Sequence, residues 1–187
     1  MLQQVAPTPC GTAGGLVHAG LGAQTDAAYA DARRVPVTMA PTRNNDDQEQ
    51  GEPVEVKDWG WSQQPACVPL SRKVFRKWLA KVNASHYEED ATLCFMELLT
   101  NAIRIESPTG LTHTRWMLFE DKLRVEVNDY STQAPYLSWA DDEAENGRGL
   151  ILVHLLADKW GYDHTTFLGE HGEGWIPGKV VWFELHD

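Results

Sequence analysis

An acid and an amide stand four residues apart inside an apolar run, and this pair restricts what the chain can fold into. The run extends from Cys94 to Arg104 and contains Glu97 and Asn101. Residues four apart lie on one face of an α-helix, so both side chains would point in the same direction. The surface from which they project should be buried, because the neighbouring residues are apolar. Burying polar groups without hydrogen-bonding partners is costly. The pattern therefore predicts a helix whose polar pair faces a partner or a ligand.

Length and charge limit the classes of function. The chain has 187 residues and a net charge of −11, which suits one well-cored domain with additional segments. The acidic balance argues against direct binding of nucleic acid and against attachment to an anionic membrane. No run approaches the roughly 20 apolar residues of a membrane span. Three widely spaced cysteines (Cys10, Cys67 and Cys94) favour a reducing cytoplasm over a disulfide framework or a zinc site.

The composition changes near residue 58. Residues 1–58 contain few large apolar side chains and include a polar, acidic stretch from Asn44 to Pro53. We interpret residues 1–58 as a disordered, low-complexity tail and residues 59–187 as one folded domain. Two alternatives remain open, namely that the tail is a partner-binding arm, or that translation starts further in, for example at Met39.

Hydrophobic periodicity predicts alternating strands and helices in the folded part. A capping box formed by Ser85 and Glu88 is expected to open the central helix. The first helix carries a basic face, which is either solvated or a docking surface for an acidic partner: Arg72, Lys73, Arg76, Lys77 and Lys81. The predicted elements are a strand around Trp59 and Trp61, helices over Val74–Val82, 86–105 and Leu150–Trp160, a hairpin of Thr112–Phe119 with Lys122–Asn128, and strands Tyr162–Leu168 and Lys179–Leu185.

Two further features carry chemistry. Alternation in the second hairpin strand places Asp129 on the apolar face with Val125 and Val127, so its carboxylate points toward the core or a cleft. The segment Gly147-Arg148-Gly149 precedes a helix, whose first amides and dipole favour an anion. An asparagine oxygen can coordinate Mg²⁺, a glutamate can accept a proton, and a buried aspartate can accept a hydrogen bond from an exocyclic amine, which selects adenine over guanine.

Four segments resemble sequence boxes of one superfamily. Residues Met96–Ala102 look like its N box, Val125–Ser131 like its adenine box, and Gly147–Leu150 like its second glycine box; Gly178–Leu185 suits its closing strand. The chain from about Trp59 to Asp187 thus resembles the histidine-kinase-like ATPase superfamily, which includes gyrase, MutL and the histidine kinases. Within it, the likeness is closest to the bacterial anti-sigma-factor serine/threonine kinases.

The resemblance implies a fold and a set of roles. The fold would be an α/β two-layer sandwich, with a mixed, mostly antiparallel sheet covered on one face by helices. The cofactors would be ATP and Mg²⁺. Tyr130–Asn146 would form a lid over the nucleotide. Glu97 would be the catalytic base or would orient the nucleophile. The other implied roles are metal ligand for Asn101, adenine contact for Asp129 with Ser131 beside it, and phosphate or lid contacts for Gly147, Arg148, Gly149 and Leu150.

The implied function is phosphorylation of a protein antagonist, which would control transcription by partner switching. A sigma factor or an anti-sigma antagonist would be the partner, and the resemblance is compatible with a homodimer. The alternative is a catalytically weak or inactive nucleotide-binding module that sequesters a sigma factor or another regulator. Two departures from the family pattern bear on this alternative. Ser131 stands where the family has glycine, and a positive φ at this serine would cost about 1 kcal/mol of strain. The predicted lid is also acidic, because it contains Asp141, Asp142, Glu143 and Glu145.

Overall fold

A computed structural model describes residues 51–135, 148–168 and 174–187. Most of the predicted tail, up to residue 50, lies outside these ranges. The described part contains five strands and three α-helices, with one short 3₁₀ turn at Ser85–Tyr87. In chain order they are β1 (Glu55–Ser62), α1 (Cys67–Lys81), α2 (Glu88–Ile103), β2 (Leu111–Leu118), β3 (Lys122–Asp129), α3 (Arg148–Leu156), β4 (Lys159–Leu168) and β5 (Trp175–His186).

The strands form a single sheet with the order β1-β2-β3-β5-β4. All four described pairings are antiparallel, so the sheet is not mixed. The predicted hairpin is confirmed as β2 and β3, paired from Thr114 with Val127 to Leu118 with Leu123. The predicted α+β two-layer class is confirmed.

An aromatic cluster joins the helices to the sheet. Trp116 of β2 is fully buried, and its ring centroid lies 4.8 Å from Phe75 of α1 and 5.4 Å from Phe95 of α2. Trp61 of β1 extends the cluster at 6.3 Å from Trp116, and its indole nitrogen donates a 3.0 Å hydrogen bond to Thr114. Large aromatic rings bury more apolar surface than other side chains. The cluster therefore fixes α1 and α2 on the sheet face that carries Trp116.

Charged side chains fix the register of β3 against β5 on the other face. Arg124 donates to Glu184 at 3.0 Å, and Lys122 lies 3.2 Å from the same carboxylate oxygen. Burial alone would raise the pKa of Glu184, but hydrogen bonds from His186 and Arg124 and the charge of Lys122 lower it overall. The same register places Asp129, at the end of β3, directly opposite Lys179 of β5.

Three local predictions were wrong or displaced. Ser85 does not cap α2, because Tyr87 precedes the helix without a side-chain cap and Glu88 instead accepts a 2.7 Å hydrogen bond from Arg76. The third helix ends at Leu156, so Trp160 belongs to β4. Strand β1 begins at Glu55, within the range assigned to the tail. Among the described segments, no helix combines the length and apolar character needed to cross a membrane.

Candidate functional site

The polar pair on α2 lies where the sequence predicted it. Glu97 and Asn101 are half-buried, whereas Leu98, Leu99 and Ala102 around them are buried. Neither polar side chain makes a hydrogen bond or an ion pair with another described residue. Half-buried polar groups without protein partners are available to a ligand. The amide of Asn101 and the carboxylate of Glu97 are therefore free to act on one.

Asn101, Asp129 and Leu150 line one small cavity between the helices and the sheet. Its volume is about 30 Å³, and its lining is completed by Leu98, Ala102, Val127, Pro135 and Val181. Sites that hold small molecules usually measure roughly 300 to 1,000 Å³. A ligand of nucleotide size would therefore enter only if parts of the lining moved apart. The structure nevertheless brings together residues from α2, β3 and α3, which are distant in the sequence.

The start of α3 lies against Glu97. A methyl group added to Gly149 would overlap Oε2 of Glu97 and would lie 3.2 Å from its Cδ atom. Glycine at this position thus allows the helix backbone to approach the carboxylate closely. The contact brings the predicted base and the predicted phosphate-binding turn to the same place, although the sequence separates them by about 50 residues.

This contact can be tested with a double-mutant cycle. We expect Gly149→Ala to be more destabilising, by about 0.5–1.5 kcal/mol, in the native background than in a Glu97→Ala background. The cause is that the added methyl group must push the flexible Glu97 side chain away. Unfolding by denaturant, measured on the four proteins of the cycle, gives the coupling free energy. Equal costs in the two backgrounds would show that Glu97 is not what Gly149 accommodates.

Asp129 is held by one hydrogen bond and one ion pair. Its Oδ1 atom accepts a 2.8 Å hydrogen bond from the backbone amide of Ser131, and its Oδ2 atom lies 2.8 Å from the ammonium nitrogen of Lys179. Lys179 also donates to the Ser131 carbonyl at 3.1 Å. Among the described non-glycine residues only Asn83 has a positive φ, so Ser131 carries no backbone strain of the kind considered above. Serine therefore fits this turn.

Lys179 pairs with Asp129 at the cavity, and the sequence did not lead us to predict it. A signal was present, because Lys179, Val181 and Phe183 alternate along β5 and share the face that carries Asp129 on β3. The exposed fraction of its side chain is 3%, and that of Asp129 is 13%. Buried lysines are rare unless they are paired, and Asp129 supplies the pairing charge.

Part of the predicted site lies outside the described residues. This applies to Gly147 and to the predicted lid from Tyr136 to Asn146, including its acidic residues. Arg148 is the first residue of α3, and only its backbone is described. Leu150, the last residue of the predicted glycine box, is buried at the cavity.

Cys94 lies one turn before Glu97 and belongs to the core. Its exposed fraction is 0%, and burial, with a smaller contribution from the charge of Asp90, raises the pKa of its thiol to about 12. A thiol with such a pKa is almost entirely protonated near neutral pH and is a poor nucleophile. Within the described ranges, no group of three or more His, Cys, Asp or Glu side chains could hold a metal ion.

The sequence also matches a known protein family. The family described as histidine kinase-like ATPase domain matches residues 61–172, which is more than half of the chain. The match spans α1, α2, the hairpin and α3, which together carry the polar pair, Asp129 and Gly149. No curated relative matches the sequence. The chain therefore belongs to the histidine kinase-like ATPase domain family.

Proposed function

We propose that this protein is an ATP-binding regulator that transfers the γ-phosphoryl group of Mg·ATP to a serine or threonine of a partner protein. Family membership supports ATP binding. The finer assignment, a kinase of the anti-sigma-factor type whose partner is a sigma factor or its antagonist, rests on the likeness of the sequence boxes. Control of transcription by partner switching is the role that this assignment gives the protein.

One observation carries the proposal. Asn101, Asp129 and Leu150 line a common cavity, and Glu97 on the same helix as Asn101 contacts the first turn of α3. In this arrangement the carboxylate of Asp129 would accept a hydrogen bond from adenine at one end of the site. The N-terminus of α3, with the carboxylate of Glu97 beside it, would lie at the other end. A helix N-terminus favours phosphate through its free amides and its dipole.

The chain's own residues fit a magnesium ion as cofactor. The side chain of Asn101 has no partner among the described residues, and Asn101 lines the cavity. Mg²⁺ commonly uses one or two protein oxygens, while water and substrate phosphates supply its other ligands. When bound, the ion would neutralise phosphate charge. Asn101 would hold it, and no carboxylate cluster is needed for that role.

Glu97 would act as the base. Its carboxylate lies beside the backbone of Gly149, so it is next to the phosphate end of the site. There it would accept the proton of the attacking hydroxyl group, while the protein would contribute mainly by positioning the reactants. Asp129 would accept a hydrogen bond from the amino group of adenine at the opposite end.

We propose α1 as the docking surface for an acidic partner. Arg72, Lys73 and Arg76 are exposed, opposite the buried Val74 and Phe75. A groove of about 630 Å³ lies where α1 meets the start of α2. Basic surfaces of this kind favour association with acidic partners and increase its rate. The groove is lined by Arg72, Arg76, Ser85, His86, Glu88, Glu89, Thr92 and Leu93.

Label transfer tests the proposal. The full chain is incubated with Mg·ATP labelled in the γ-phosphate and with candidate antagonist proteins, with EDTA as the metal control. The proposal expects ATP binding that depends on Mg²⁺ and transfer of label to one partner. Binding of ATP without transfer to any partner would instead favour the module that sequesters a regulator. If neither ATP nor ADP binds at millimolar concentration, the proposal is wrong.

A further inference from the structure

Lys179 is a buried cation that pairs with Asp129, one of the residues that line the cavity of the candidate site. Its side chain is 3% exposed, and the β3–β5 register places it opposite Asp129 on the same face of the sheet. Gly178 allows the strand to approach this point, because a Cβ atom there would lie 2.7 Å from the carbonyl oxygen of Asp129. Backbone packing thus delivers the lysine to the carboxylate, so the pair is built into the fold.

The pair retains hydrogen-bonding capacity on both sides. The ammonium group has three N–H donors, and its contacts with Asp129 and with the Ser131 carbonyl use two of them. The carboxylate has about four acceptor sites, of which Ser131 and Lys179 occupy two. A charged donor and a charged acceptor therefore stand side by side, 2.8 Å apart. Such a pair can bind a ligand edge that presents an acceptor next to a donor.

The hydrogen-bonding edge of a purine has this pattern. In adenine the 6-amino group is a donor, and the neighbouring ring nitrogen N1 is an acceptor. Guanine presents its acceptor and donor in the reverse order, with O6 as the acceptor and N1–H as the donor. Asp129 can serve the donor and Lys179 the acceptor in either case. Membership of an ATPase family favours adenine.

We propose that Lys179 is a specificity-determining residue, which donates a hydrogen bond to N1 of adenine while Asp129 accepts one from the 6-amino group. The inference rests on the proposed binding of ATP. It adds a second protein contact to the base, supplied by β5 in addition to β3. Hydrogen bonds with a charged partner are the stronger ones, so the loss of either contact should be measurable.

Two ATP analogues separate the two contacts. 1-Deaza-ATP lacks the N1 acceptor, and purine riboside triphosphate lacks the 6-amino donor. We expect each to bind the native protein roughly 10- to 100-fold more weakly than ATP. Lys179→Met should weaken ATP binding by a similar factor and abolish the difference between ATP and 1-deaza-ATP. It should keep the difference between ATP and purine riboside triphosphate, because Asp129 remains.

The dissociation constants are measured by isothermal titration calorimetry on the full chain. Lys159→Met, which replaces an exposed lysine on β4, is the matched control and should leave all three constants unchanged. Lys179→Gln, which keeps a neutral N–H donor, should retain part of the discrimination against 1-deaza-ATP. Circular dichroism verifies that each variant is folded.

Several results would overturn the inference. One is that the native protein binds 1-deaza-ATP as tightly as ATP. This measurement does not depend on the folding of any variant. A second is a Lys179→Met protein that loses affinity for ATP and for 1-deaza-ATP equally, as expected if the lysine only supports the structure. A third is tighter ATP binding by that variant, which would mean that the lysine blocks the pocket. Preference of the native protein for GTP would assign the pair to guanine. If no nucleotide binds the native protein at millimolar concentration, the proposed function itself fails.

Discussion

Glu97→Gln should lower the rate of phosphoryl transfer by about 10²- to 10⁴-fold, the usual contribution of a general base. The amide has nearly the same shape as the carboxylate, so its packing against Gly149 is retained. It cannot accept the proton of the attacking hydroxyl group at neutral pH. Binding of Mg·ATP should change by less than about threefold, because the substitution leaves Asn101 and Asp129 in place.

Single-turnover kinetics with labelled ATP measure the transfer step, and calorimetry measures binding. Glu120→Gln, an exposed residue in the turn between β2 and β3, is the matched control for the loss of one acidic charge. A Glu97→Gln protein that transfers phosphate at the native rate would remove Glu97 from the base role. Equal losses in binding and in transfer would point to a structural role.

The site depends on contacts between residues that are distant in the sequence, and this explains which parts of it the sequence could predict. Glu97 and Asn101 follow from helical periodicity, and Asp129 follows from strand alternation, because both patterns are local. The contact of Glu97 with Gly149 depends instead on how α2 packs against α3. No spacing along the chain encodes it.

The errors at helix ends have the same origin. The 3₁₀ turn satisfies the amide of Tyr87 with the carbonyl of Ala84, so the hydroxyl group of Ser85 is not required as a cap. After α3, the amide of Asp158 donates to the carbonyl of Glu184, and the chain joins the sheet before Trp160. Tertiary pairing therefore overrides a helical pattern that would otherwise continue.

Lys179 shows what a pattern search leaves out. The same alternation that identified Asp129 also places this lysine on the apolar face of its strand. Its meaning emerges only from the register of β3 against β5, which sets the two side chains opposite each other. A charged residue at the end of the apolar face of a strand therefore indicates that the paired strand should be searched for a residue of opposite charge. Two such residues can form an ion pair that offsets the cost of burying each charge.

Asp129→Asn should weaken ATP binding by roughly 10- to 150-fold, the range expected when a hydrogen bond with a charged acceptor is lost. The amide has one acceptor oxygen in place of two. If that oxygen faces the ammonium group of Lys179, the amide nitrogen remains to face the adenine amino group, and two donors then oppose each other. The native pairing of the buried lysine is also weakened, which should cost about 1–3 kcal/mol of folding stability.

Two measurements separate these effects. Calorimetry should show that the variant no longer distinguishes ATP from purine riboside triphosphate, and denaturant unfolding should show the loss of stability without nucleotide. Asp121→Asn, at an exposed position in the turn between β2 and β3, controls for the change in charge and should alter neither quantity. Native ATP affinity in Asp129→Asn would place the adenine contact elsewhere. A loss of stability with unchanged discrimination between the two nucleotides would reduce Asp129 to a partner of Lys179, because its carboxylate would then serve the fold and not the ligand.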